Sequence, residues 1–185
     1  MHDHSPFLKR ACLGAAGGLL GTATLQALMA AGKKWLPESA PPIRQEPGEF
    51  LVDRAERVLP AGARRAIPKS AEAAAAQGLS AGYGMAFGTL YAALRPHGGN
   101  ALLDGFVLGI GAWAAGYLGW LPALGLTPPL REQTAPQVAG PVVDHLAYGV
   151  ATVVAFDWLR GHFNPAIPAE VEMKLRPAGH QLAAR

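Results

Sequence analysis

Three long stretches of this chain, residues 13–31 ("LGAAGGLLGTATLQALMAA"), 73–94 and 105–130, contain no charged side chain. A bilayer demands apolar runs of at least about 18 residues, because roughly 20 helical residues rising 1.5 Å each cross a hydrocarbon core of about 30 Å. A soluble fold of this size rarely needs three. Hydrophobic residues make up 50% of the chain and charged residues 16%, which would suit either a soluble domain or a membrane bundle. Their segregation into runs selects the bundle.

A fourth apolar segment, "PVVDHLAYGVATVVAFDW" at 141–158, carries two carboxylates and an imidazole. The expected fold is therefore all-α, an integral membrane bundle of four transmembrane helices at about 13–31, 73–94, 101–121 and 141–160. These form one membrane domain, 1–161, followed by a polar C-terminal tail, 162–185. Ser70 offers an N-cap to the second span and Pro96 a stop. Asn100 caps the third, and Pro141 suits the first turn of the fourth. The polar loop 32–69 has apolar Phe50, Leu51, Ala55, Val58 and Leu59 among charges, which predicts a short amphipathic helix at the membrane surface or over the bundle. Four spans put both termini on one side, termed side A; the long loop and the 122–140 connection lie on side B. Basic residues are spread over both sides and give little orientation signal, with Arg54 and Arg57 tilting side B towards the cytoplasm.

Net charge is +3 and the pI about 9.2, but the basic residues are dispersed and no nucleic-acid motif accompanies them; no nucleic acid is expected as a partner. Lys9 and Arg10 ahead of an apolar run also fit a secretory signal, although "AAGKK" is a poor cleavage sequence and Lys33 and Lys34 read better as a stop at an interface. The lone Cys12 excludes an internal disulfide and a CxxC site. There is no HExxH, Walker loop, dinucleotide fingerprint or nucleophile elbow. No catalytic residues, cofactor or metal are expected: His2, Asp3 and His4 have neither fixed geometry nor a second ligand cluster, and His97 sits in a turn.

Small-residue spacing is the most specific feature. Gly14, Gly17, Gly18 and Gly21 fall in the first span, Gly78, Gly82, Gly84 and Gly88 in the second, Gly105, Gly109 and Gly116 in the third. In lipid such repeats let backbones approach closely, within one chain or between chains. Trp35 and Trp120 on side B, with Tyr91 and Trp158 on side A, sit where interfacial aromatics belong. Trp113, Tyr117 and Trp120 line one face of the third span. A quinone or haem pocket could use that stripe; packing is its ordinary role.

Three polar residues are candidates for an intramembrane site: Asp144, His145 and Asp104. At 100° per residue Asp144 shares a face with Ala147, Tyr148, Ala151 and Ala155, suited to the bundle interior. It is either part of an ion or proton path or a first-turn carboxylate favoured by the helix dipole after Pro141. Asp157 falls near Leu146, Val150 and Val153, the expected lipid face. Asp104, in the first turn of span three, should meet Arg95 or Arg160 in an ion pair.

The runs "GLSAGYGMAFGTLYAALRP", "LGLTPP" and "DHLAYGVATVVAFDWLR" resemble the YagU-like group of small bacterial inner-membrane proteins, over about residues 10–161. The resemblance implies a multi-pass inner-membrane location and supplies no reaction. The expected function is structural or accessory, packing through glycine faces as a homo-oligomer or against a larger membrane complex in the lipid bilayer. The alternative is a small proton-linked transporter or channel using Asp144. A membrane enzyme acting on lipid or quinone has least support, since no activated group is visible.

Overall fold

The computed structural model describes residues 5–95 and 99–163. Every regular element among them is helical. Helix α1 (Ser5–Trp35) leads to a surface segment with α2 (Pro47–Glu56) and α3 (Ala61–Arg65). Helix α4 (Lys69–Leu94) follows, then α5 (Ala101–Trp113), which runs through a π-helical segment (Ala114–Trp120) into the short α6 (Leu121–Ala123). Helix α7 (Ala135–Phe163) ends the described chain. Three helical stretches, Phe7–Trp35, Ala101–Ala123 and Ala135–Phe163, are long and apolar enough to cross a membrane; α4 is not among them.

Glycine decides the arrangement. Gly14 and Gly18 of α1 lie against Gly88 and Gly84 of α4 so closely that a Cβ at Gly18 would fall on the Gly84 carbonyl oxygen. On its other face α1 presents Gly17 and Gly21 to Thr152 and Tyr148 of α7. Helix α7 in turn meets α5 where Gly105, Gly109 and Gly149 interlock, with the His145 carbonyl against Gly109. All three pairs are antiparallel, and the row runs α4, α1, α7, α5. It curls until α4 and α5 meet through the Tyr83 hydroxyl, which donates to the Ala112 carbonyl at 3.0 Å. Close backbone packing is the drive available to helices in lipid, where apolar side chains gain nothing by leaving the solvent. Outward lie Leu19, Leu20, Leu90, Leu103, Phe106, Val107, Val154 and others. Glycine at the helix contacts and so many large apolar side chains outside are unlike a soluble fold, although Tyr91, Leu108, Tyr148, Val153 and Phe156 form a buried cluster.

Several expectations need correction. Helix α4 begins at Lys69 after Pro68 with no side-chain cap, so Ser70 does not cap it. Helix α7 begins at Ala135, six residues before Pro141. Its start signal is "TAPQ": the Gln137 side chain accepts from the Thr134 N–H at 2.9 Å, half of a capping box, and Pro136 occupies the first turn. Pro141 thus sits inside the helix. The polar loop is shorter than 32–69 because α1 persists to Trp35. Gly78 and Gly82 have no atom within 4 Å of where a Cβ would lie, so these two do not pack helices within the chain; Gly116 is buried and meets Tyr83 of α4 at an ordinary contact distance of 3.8 Å, without bringing backbones together. Tyr91 is buried within the bundle. Asn100 does cap α5, accepting from Leu102 N and Leu103 N. Helix α7 extends to Phe163, past the expected start of the tail at 162; the rest of the tail, with His2, Asp3, His4 and His97, lies outside the described residues.

Candidate functional site

The bundle is tight towards side A and open towards side B. Between α1, α4, the π segment and α7, beneath α2, lies a cavity of about 530 Å³. Its roof is placed by sequence. Pro47 starts α2, and Gly48 lets it settle on α4 with its Cα against the Ala76 backbone. Phe50 of α2 packs on the Tyr117, Leu121 and Leu126 cluster, and Arg44 N donates to the Leu126 carbonyl at 2.9 Å. The amphipathic helix expected in the loop therefore covers the bundle.

The walls are aromatic. Tyr83 of α4 stands edge-on to Trp120, ring centroids 6.1 Å apart, and Tyr117 stacks on Trp113 at 6.2 Å. The π segment supplies Tyr117 and Trp120. The Tyr83 hydroxyl bonds the Ala112 carbonyl just before that segment, giving a partner to a backbone group where the helical register widens. Such π turns interrupt regular hydrogen bonding and are common at functional sites. The Tyr148 hydroxyl crosses from α7 to donate to the Gly84 carbonyl at 2.8 Å, and Gly84 offers that carbonyl because it has no side chain in the way. At the mouth, Gln26 donates to Gln77 at 3.1 Å and Lys33 pairs with Glu46 at 3.3 Å.

Of the three polar candidates, only His145 lines this cavity. Its Nδ1 lies 2.7 Å from the Pro141 carbonyl, and its ring stands edge-on to Tyr117 with centroids 5.8 Å apart. Asp144 is half-buried beside it but outside the lining, and its carboxylate has no hydrogen bond among the described residues. Because α7 starts at Ala135, Asp144 lies in the third turn, where the field of the helix end has faded. The first-turn explanation for that carboxylate is therefore withdrawn.

Asp104 belongs to the opposite end. Only 5% exposed, it pairs with Arg95 at 2.8 Å and accepts from the Tyr91 hydroxyl at 3.3 Å. Tyr91 also stands edge-on to Phe156 at 5.5 Å. Asp157 pairs with Arg160 at 3.3 Å, and its neighbour Val153 is 0% exposed, so the lipid face assigned to that part of α7 is wrong. Among the described residues no group of three or more His, Cys, Asp or Glu could hold a metal ion.

Sequence reasoning missed the cavity. The stripe Trp113, Tyr117, Trp120 was its one visible trace, but its partners Tyr83 and Tyr148 sit on other helices and only the register brings them together. Comparison with protein-family models, curated proteins and solved structures gives no match.

Proposed function

We propose that this chain is a four-span inner-membrane protein of accessory type, whose bundle holds an amphiphilic small molecule in the side B cavity. The cavity is the observation that carries the reading: 530 Å³ falls within the roughly 300–1,000 Å³ of small-molecule sites, and it combines an apolar wall with a few polar groups. Helix α4 counts as the fourth span because it lies antiparallel along α1 at backbone contact through Gly84 and Gly88. If α1 is in the bilayer, α4 is at the same depth, and its residues 73–94 carry no charge. The location follows the YagU-like motifs alone.

The glycine faces support an accessory role in a different way than the sequence suggests. Those of Gly14, Gly17, Gly18, Gly21, Gly84, Gly88, Gly105 and Gly109 are used inside the chain, while Gly78 and Gly82 are open, so contacts with another copy or a larger complex would fall on the outer surface. Transport through Asp144 has weaker support, since that carboxylate is not in the cavity lining. Two measurements test the reading. Protease protection of tags at both termini in sealed vesicles should give the same side for each; opposite sides would mean three spans. Native extraction followed by mass spectrometry should find a small amphiphile retained by the wild-type chain and lost in Ser80→Trp, which fills the cavity from its exposed edge. Equal retention in both would reject the cavity as the site.

A further inference from the structure

Two polar groups in the cavity lack a partner among the described residues. One is the Tyr117 hydroxyl, on a side chain only 7% exposed. The other is His145 Nε2. The Pro141 carbonyl can only accept, so the Nδ1 lying 2.7 Å from it carries the proton of the neutral ring. That leaves Nε2 as a bare acceptor. A second ring proton would put a full charge among apolar groups inside the membrane, which is costly. Tyr117 and His145 touch, edge to face. Both side chains line the cavity, so together they offer a guest there one donor and one acceptor that no other group among the described residues uses.

We propose that the occupant is a lipid-soluble quinol, a flat ring bearing free hydroxyl groups on an apolar tail. This rests on the cavity being an amphiphile site. One ring hydroxyl satisfies both groups: its O–H donates to His145 Nε2, and its oxygen accepts from the Tyr117 hydroxyl. Tyr83 and Trp120 supply ring edges and faces for a flat aromatic guest. Leu25, Met29 and Leu79 line the length left for a tail. The mouth disfavours a phospholipid: Lys33 is already paired with Glu46, and Glu49 adds a second carboxylate to the lining, so a phosphate would meet net negative charge. A quinol is uncharged. The proposal concerns binding, and no electron transfer forms part of it.

The test uses the full chain in nanodiscs of phosphatidylcholine, under argon, titrated with a short-tailed benzoquinol and with its dimethyl ether while tryptophan fluorescence is followed. The quinol should bind saturably, and the ether roughly tenfold more weakly, the scale of one or two lost hydrogen bonds. Tyr117→Phe and His145→Phe should each weaken the quinol by a similar factor and leave the ether unchanged. The comparison of two probes on the wild-type chain needs no variant to fold. An ether that binds as tightly as the quinol overturns the quinol assignment and leaves an amphiphile site standing. So does recovery of a phospholipid held equally by wild type and Tyr117→Phe. Absence of saturable binding by either probe, with no retained amphiphile sensitive to Ser80→Trp, overturns both readings.

Discussion

The two ends of the bundle are closed by different means. At side A the helices touch backbone to backbone, and charge pins what remains: Asp104 holds Arg95 and Tyr91, and Lys9 donates to the Phe163 carbonyl at 2.7 Å. At side B they splay, and aromatic rings, a π segment and the capping helix α2 surround an open volume. The difference follows the position of glycine along each rod. Gly14 to Gly21 occupy the side A half of α1, Gly84 and Gly88 that of α4, Gly105 and Gly109 that of α5. Beyond them α1 carries Leu25, Gln26, Leu28 and Met29, and the π segment that continues α5 carries Tyr117 and Trp120. A small-residue weld at one end thus builds a wedge-shaped site at the other, without any hinge or insertion.

The sharpest way to break this comparison is to pry the weld open. In Gly88→Leu the new Cβ would fall on the Gly14 carbonyl oxygen, and in Gly109→Leu on that of His145. Neither neighbour is a flexible side chain that can swing aside. Each variant should lose roughly 3 kcal/mol or more, at the upper end of overpacking effects, and aggregate or unfold at markedly lower temperature in mild detergent. Wild-type unfolding in either would mean that the helices do not approach as described.

A smaller effect is expected from Asp104→Ala, which leaves the Tyr91 hydroxyl and the Arg95 guanidinium without their carboxylate. Asp104 is buried but Arg95 is about half exposed, so water recovers part of the loss. About 1–3 kcal/mol is the expected decrease, the range for a hydrogen-bonded charged group. Asp104→Asn, which can still accept from Tyr91, should lose less. Because this damage is confined to side A, retention of the amphiphile proposed for the cavity should be unchanged in the folded fraction. Loss of ligand at wild-type stability would show that the two ends are coupled.

How much of this was legible in the sequence depends on how local each signal is. The uncharged runs and the Asn100 cap are local, and both carried through, to α1 and to α5 with its start. The Asp104–Arg95 pair was legible because a short connection brings the end of α4 beside the start of α5. The start of α7 was misplaced because Pro141 is a conspicuous helix-start residue, yet the nearer "TAPQ" provides both the cap and a proline. That shift of six residues also moved Asp144 out of the first turn. The cavity was illegible for a different reason: Tyr83, Tyr117, His145 and Tyr148 belong to three separate rods, and one residue of register decides whether they converge. The π segment adds to this, since no periodic pattern announces a change from 3.6 residues per turn.

The finest test concerns glycines that look alike in sequence and differ in place. Gly78 and Gly82 have the same four-residue spacing as Gly14 and Gly18 or Gly84 and Gly88, but nothing lies within 4 Å of either position. In Gly82→Leu the new side chain would project outward one turn from Leu79, which is already exposed. Unfolding should therefore stay within about 0.5 kcal/mol of wild type, as for substitutions away from packed features. The contrast with Gly88→Leu isolates geometry, because both changes are chemically identical and sit on one helix. A loss of more than about 1 kcal/mol in Gly82→Leu, beyond that ordinary surface range, would place a packed neighbour on the outer face of α4, and the wedge would then be only part of a larger assembly.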